Sequence, residues 1–252
     1  MKEQSEIESI LREAGEILMK YWPGGEAGTI GVDYKEDGSP VTKADKESDT
    51  FIRSRLSLLF PQDGIVSEEA QETKSSNGRV WILDPLDGTN SFISGLDDFS
   101  ILAALCENHE VVYGSMYFPA LNIYASASKG QGAFSNGQRL EVSSDKFLRE
   151  RGLYHRNFEP PPGTYLFDKK LDSGRAFLSL CEGGFDGIVM RTEQFGEHDF
   201  AAPAILIKES GGRVSDEFGK PIRFHDPSHD YKYFVVSNTH VHEQLLDIIA
   251  RS

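Results

Sequence analysis

Trp81-Ile82-Leu83-Asp84-Pro85-Leu86-Asp87-Gly88-Thr89-Asn90 is the stretch that decides how this chain folds. Val80 to Leu83 is a short continuous apolar run, the pattern of a strand covered on both faces. Pro85 fixes one φ between two acids, so Asp84 and Asp87 leave the strand at a rigid corner. Gly88 allows close backbone approach, and the amides of Gly88, Thr89 and Asn90 open what reads as a helix with its positive end outward. Such a corner can hold metal ions against a phosphate.

Upstream of it, Ile7, Ile10, Leu11, Ala14, Ile17 and Leu18 recur at helical spacing in an amphipathic helix over Met1 to Lys20. A glycine-rich loop, Gly24 to Gly31, follows. Thr42 then caps a helix whose third residue is Asp45, in a capping-box arrangement, and that helix ends before Pro61. As a first-turn acid, Asp45 is explained by the helix dipole without any function. Ile65-Val66 reads as a short strand that delivers Ser67-Glu68-Glu69.

Downstream, the segments 99–106, 111–118 and 122–127 read as successive antiparallel strands, and Ser135-Asn136-Gly137 as a hairpin turn. The signal fades from Leu148 to Asp168, where Pro160-Pro161-Pro162-Gly163 excludes helix interior and central strand. This part reads as a loop at a lobe boundary. Beyond it the pattern predicts a helix over 174–181, a strand over 187–190, a helix over 199–209 stopped by Gly211-Gly212, a strand over 234–236 and a helix over 241–249. The chain is α+β, with an N-terminal lobe over 1–140 carrying most of the acids and a C-terminal lobe over 141–252 carrying Asp199.

The 252 residues include 26 Lys and Arg against 40 Asp and Glu, a net charge of −14. Such a field disfavours polymeric nucleic acid and anionic membranes as partners. It does not exclude a small phosphate ester, because bound cations reverse the local field. Cys106 and Cys181 form neither a disulfide framework nor a zinc motif, which fits a reducing compartment. No apolar run approaches the roughly 18 to 20 residues that span a bilayer. A soluble, cytoplasmic protein is therefore expected.

Asp84 and Asp87 at a strand end, Glu68 after another strand and Asp199 at a helix start are the acids expected to converge. One like-charge pair at about 4 Å costs roughly 4 kcal/mol at an effective dielectric near 20. Either protons or cations must relieve that repulsion. Oxygen ligands without His or Cys favour Mg²⁺, Mn²⁺ or Ca²⁺ over zinc. Two Mg²⁺ ions sharing Asp84 would serve phosphomonoester hydrolysis, with Thr89 and Asp45 orienting the attacking water. Taken singly, Asp-Pro and Asp-Gly are also ordinary turn formers.

The segments Ser67-Glu68-Glu69, Trp81 to Thr89, Asp199 to Gly212 and Asp37 to Asp45 together resemble the inositol monophosphatase superfamily of lithium-sensitive, magnesium-dependent phosphatases. The resemblance implies a layered α-β-α-β-α sandwich, commonly a homodimer. It implies metal ligation by Glu68, Asp84, the Leu86 carbonyl, Asp87 and Asp199, with two or three Mg²⁺ ions, Mn²⁺ as a substitute, and Li⁺ and Ca²⁺ as inhibitors. Catalytic roles fall to Thr89, Asp45 and Glu68. Substrate contacts fall to Asp87, Gly88, Thr89, Gly174, Arg175, Arg191, Glu193 and Asp199.

Three departures stand out. His198 occupies a position where relatives typically carry Trp. The segment over 140–173, which shapes the alcohol pocket, is shorter than usual. Arg175 replaces Ser or Thr, and Arg191 and Glu193 match no single subfamily. The expected substrate is an inositol-type or similar polyol phosphate, ahead of 3′-phosphoadenosine 5′-phosphate, histidinol phosphate and fructose 1,6-bisphosphate. A structural metal-binding scaffold is the non-enzymatic rival.

Overall fold

A computed structural model describes residues 2–24, 31–34, 40–148, 152–167 and 170–252. Most of the glycine-rich loop after Gly24 and the Asp37 to Ser39 part of the fourth motif lie outside the described residues. Two helices, α1 (Lys2–Met19) and α2 (Lys43–Leu59), form the first layer, and an antiparallel pair, β1 (Val32–Tyr34) and β2 (Pro40–Thr42), leads into α2. Against them lies an eight-stranded sheet in the order β10-β9-β8-β7-β6-β5-β3-β4. Its strands are β3 (Gly64–Ser67), β4 (Ala70–Thr73), β5 (Arg79–Asp87), β6 (Ser100–Glu107), β7 (Glu110–Phe118), β8 (Ile123–Ser128), β9 (Gly132–Ser135) and β10 (Gln138–Arg139). The third layer is α4 (Ser173–Cys181) and α5 (Glu197–Glu209). A four-stranded sheet follows, in the order β11 (Leu153–Arg156), β12 (Gly187–Arg191), β14 (Tyr233–Asn238), β13 (Gly212–Ser215), and α6 (His242–Ile249) closes the stack. The expected α-β-α-β-α sandwich is the observed one.

Alternation along the strands explains the layering. Trp81 and Leu83 turn toward α1 and α2, joined by Ile101, Ala103, Leu105, Tyr113 and Tyr117. Val80 and Ile82 turn the other way, into a core shared with Phe177, Phe200, Ala201 and Ile205 of α4 and α5. Both faces of β5 are thus apolar, which is why its sequence shows a run instead of an alternation. The helix α5 lies close on β7 because Gly114 has no side chain: a Cβ there would come within 2.6 Å of Ile205 and 3.0 Å of the Ala202 carbonyl.

Where the patterns were strong the expected elements stand. Thr42 and Asp45 form the capping box of α2, and Asn136 and Gly137 both take positive φ in the tight hairpin joining β9 to β10. The stretch read as a boundary loop contains a strand, however. Leu153–Arg156 pairs in parallel with β12 at the edge of the second sheet. Four residues reading Leu-Tyr-His-Arg carry no period, and the partner is supplied only after the α4 crossover. A second difference is at Gly88: the helix it opens, α3 (Thr89–Ile93), is one short turn, so its dipole is weaker than the sequence implied.

Candidate active site

The corner at the end of β5 is built around a bulge. Asp84 pairs with Leu102 and Asp87 with Ser100, so three steps along β5 match two along β6. In a regular strand residues three apart face opposite sides; one extra residue brings both carboxylates to the same side. Pro85 suits that position because it has no N–H to leave unpaired. Its carbonyl accepts from Ser48 Oγ of α2 at 3.0 Å, and the Leu86 amide donates to Asp84 Oδ1 at 3.0 Å. The corner is fixed by its own hydrogen bonds.

Three other elements bring the remaining groups. Glu68 sits in the tight turn between β3 and β4, where its amide donates to the Leu83 carbonyl at 3.3 Å. Behind it Ser67 hydrogen-bonds Asp49 of α2. Asp199 is the third residue of α5, a helix that starts two residues before the sequence pattern indicated, and its Oδ2 accepts from the Gly196 amide at 2.7 Å. Ligand atoms of Asp84, Asp87 and Asp199 lie within 4.8 Å of one another, as do those of Glu68, Asp84 and His198. All four expected acids therefore meet, with Asp84 common to both groups.

Burial makes this gathering costly. Asp84 and Asp87 are only 2% and 3% exposed. Desolvation first, and then the charges of Glu68, Asp87 and Asp199, hold the Asp84 carboxyl well above its usual range. Asp87 is raised by burial and by Asp172 and Asp199. Burial pushes Asp199 up to about 7, against the opposing Gly196 hydrogen bond. Desolvation of the ionised form and mutual repulsion both favour protonation or a cation. Buried carboxylate oxygens carrying excess negative charge fit a hard divalent cation, so the donor set matches magnesium or manganese chemistry.

Asp87 has supports the sequence did not reveal. Ser100 Oγ, Ser173 Oγ and the Gly174 amide donate to its carboxylate at 2.9, 2.8 and 2.9 Å. Gly174 is thus a prop for Asp87, and a Cβ on it would fall 2.3 Å from Asp87 Oδ2. Asp172 caps α4 through the Ser173 amide at 2.7 Å and accepts from Ser91 Oγ at 3.0 Å. Gly88 holds a φ of 84° with Asp172 packed against it. An Asp-Ser-Gly start to a helix is the signal that could have found this group.

Thr89 and Asp45 also meet. Thr89 Oγ1 stands 3.4 Å from Asp45 Oδ1 and 3.2 Å from the Leu86 carbonyl. Asp45 Oδ2 accepts from the Thr42 amide at 2.9 Å and from its hydroxyl at 2.5 Å. Burial nonetheless raises its carboxyl. The first-turn capping contacts and the approach to Thr89 are both present in the one side chain.

The four acids, Thr89 and His198 line a cavity of about 460 Å³, together with Arg156, Glu193, Gln194 and Phe195, and Asp45 stands behind its wall. Size alone does not single it out, since a hollow of about 420 Å³ lies beside Trp81 and Tyr113. What distinguishes the first is its ligand geometry. Glu193 lines it, but Arg175 and Arg191 do not: Arg175 pairs with Glu182 at 2.9 Å and Arg191 with Glu193 at 2.7 Å. The guanidinium at the cavity is that of Arg156, on the strand read as loop, 3.9 Å from Asp172.

The inositol monophosphatase family model matches residues 3–251. A protein of Thermotoga maritima named fructose-1,6-bisphosphatase/inositol-1-monophosphatase is 32% identical over 249 residues, covering 95% of this chain and 93% of that one. A histidinol-phosphatase of Chlorobaculum parvum is 38% identical over 223 residues, 84% of each. Among solved structures, the IMPase of Thermotoga maritima matches with a TM-score of 0.86 and 30% identity, covering 100% of this chain and 98% of that one. Similarity running from the first helix to the last, over a fold that gathers these acids at one corner, means that the chain belongs to the inositol monophosphatase family of phosphatases.

Proposed function

We propose that the chain hydrolyses a small soluble phosphate monoester, an inositol-type or similar polyol phosphate first, with divalent cations held by Glu68, Asp84, the Leu86 carbonyl, Asp87 and Asp199. The observation that carries this reading is Asp84 standing in both three-residue groups, as a ligand shared by two ions would. When bound, Mg²⁺ would supply Lewis-acid polarisation of water and phosphoryl oxygens.

The protein's own groups do the rest. Thr89 Oγ1 takes up a proton from the attacking water as it passes its own to Asp45 Oδ1, whose raised affinity for a proton suits it as the acceptor. Outward amides of Gly88 and Thr89 donate to the phosphate oxygens. Ser100, Ser173 and Gly174 keep Asp87 in one orientation, so little reorganisation accompanies the reaction.

A second reading, a bisphosphate such as 3′-phosphoadenosine 5′-phosphate or fructose 1,6-bisphosphate, is favoured by one observation. Arg156 brings a guanidinium to the cavity wall, where it could meet a second phosphate bidentately. Names of relatives support breadth: one is named fructose-1,6-bisphosphatase/inositol-1-monophosphatase and another histidinol-phosphatase.

The test is phosphate release with Mg²⁺ from inositol 1-phosphate, 3′-phosphoadenosine 5′-phosphate, histidinol phosphate and fructose 1,6-bisphosphate. The polyol reading expects the highest kcat/KM for inositol 1-phosphate. Preference for a bisphosphate, lost on Arg156→Gln while monophosphates are spared, would establish the second reading. No release from any ester with either Mg²⁺ or Mn²⁺ would overturn both.

A further inference from the structure

Resting on the reading of the four acids as metal ligands, we infer that His198 supplies a nitrogen ligand to the Glu68–Asp84 position. That position then takes a transition-metal divalent cation, while Asp84, Asp87 and Asp199 form an oxygen-only magnesium position. The two halves of the cage are chemically unequal.

Distances carry the assignment. His198 Nε2 lies 3.9 Å from Glu68 Oε2 and 3.4 Å from Asp199 Oδ2, and it shares the 4.8 Å group with Glu68 and Asp84. A charge-assisted hydrogen bond would close to about 2.7 to 2.9 Å. Ligands of one ion, each bonded at about 2.0 to 2.2 Å, stand roughly 3 to 4 Å apart instead. The Glu68 separation matches two atoms arranged around one ion better than two atoms bonded to each other, while Asp199 faces the ring from the neighbouring position.

Packing puts the ring there. The imidazole lies against the bare backbone of Gly196, and a Cβ at that residue would meet its Cε1 at 2.2 Å. Only glycine leaves that space. Gly196 also ties down Asp199 through its amide, so one residue sets both the ring and the carboxylate. The His198 side chain keeps 20% of its surface exposed, on the cavity wall, where an entering ion reaches it.

Chemistry then fixes the preference. Imidazole nitrogen raises affinity along the series from Mn²⁺ through Co²⁺ to Zn²⁺, whereas Mg²⁺ gains little from it. Oxygen ligands alone, as at the Asp87 position, discriminate less steeply and suit Mg²⁺.

The experiment titrates the full-length protein and His198→Gln with Co²⁺ and with Mg²⁺ by calorimetry, and records pulsed EPR of the Mn²⁺-loaded forms. Expected is a first Co²⁺ equivalent bound about tenfold or more tightly by the wild type than by the variant, with Mg²⁺ affinity altered less than about twofold. Nitrogen modulation of the Mn²⁺ signal should be present in the wild type and absent in the variant. Equal Co²⁺ affinities, or a wild-type Mn²⁺ signal without nitrogen modulation, overturn the assignment; the second readout needs no variant to fold. If Mg²⁺ binds and His198→Gln changes nothing, only the nitrogen ligand falls. If no divalent ion binds the wild type, the metal reading beneath it falls as well.

Discussion

Asp84 and Asp87, with half-buried Asp199 beside them, and His242 are polar side chains withdrawn from solvent, yet the fold treats them in opposite ways. His242, wholly buried at the start of α6, has a serine hydroxyl 2.8 Å from each ring nitrogen, Ser215 at Nε2 and Ser237 at Nδ1. Burial lowers its pKa to about 4, so near neutrality it carries no charge and every polar atom of the ring is paired. The acids are packed among one another instead, and their pKa values rise. A buried group whose polar atoms are all matched from within serves structure; the acids have hydrogen bonds of their own, yet these leave their mutual repulsion standing, and a proton or cation relieves it. That difference, more than the number of acids, marks the functional end.

The most damaging change to the contrast is Asp84→Asn. Phosphate release at saturating Mg²⁺ should fall by about 10²- to 10³-fold or more, while the metal-free variant melts no lower than the wild type, because a repulsive buried charge has gone. A marked fall in the metal-free Tm would make Asp84 a structural residue like His242 and break the comparison. Thr89→Ala should lower kcat by about 10²-fold with KM nearly unchanged. Steady-state kinetics checks this, and a raised KM with unaltered kcat removes Thr89 from proton transfer.

Gly174→Ala pushes a methyl group into Asp87 and Ser100. A loss of roughly tenfold in kcat/KM is expected, with a stability cost of about 1 to 3 kcal/mol, read from kinetics and denaturant unfolding. On the structural side, His242→Leu takes one partner from each of two buried hydroxyls, which keep the Asp216 and Asn238 carbonyls, and should cost about 1 to 3 kcal/mol. Activity per folded molecule should not change, and denaturant midpoints beside active-site titration would show it.

The smallest effect sharpens the contrast by sign. The acids bind protons more tightly folded than unfolded, so their contribution to stability is greatest at low pH and is lost as pH rises from about 4 through about 7. His242 behaves oppositely, its contribution being lost as pH falls from about 6.5 toward 4. Mg²⁺ competes with protons for the acids, so it should raise Tm by several degrees more at pH 8 than at pH 5. Calorimetric scans with and without Mg²⁺ at the two pH values check this; an equal shift at both would detach the ion from these acids.

Much of this was legible residue by residue. The apolar run of β5, the Thr42 capping box and the Asn136-Gly137 turn are local signals whose physics is complete within a few residues. Glu68, Asp84, Asp87 and Asp199 could be named because each sits where an element begins or ends. Arg156 was missed because β11 has no period and its partner lies across a helix, and Asp172 and Ser173 because only docking of the α4 start against β5 brings that cap to Asp87. Arg175 and Arg191 looked eligible as cations near a motif, yet each is engaged by a neighbouring glutamate.

The amino-acid sequence by itself determined the element types, the two-faced burial of β5 and the kinds of ligand available, because those follow from side-chain chemistry and short-range periodicity. Tertiary structure alone decided that four carboxylates share one cage, that Thr89 reaches Asp45 and that His198 joins the group. Each of these depends on registers between distant segments: a one-residue bulge turns Asp87 to the side of Asp84, and α5 crosses the sheet at Gly114. Local patterns set which face a residue takes along its own strand, but convergence is set by how the layers dock.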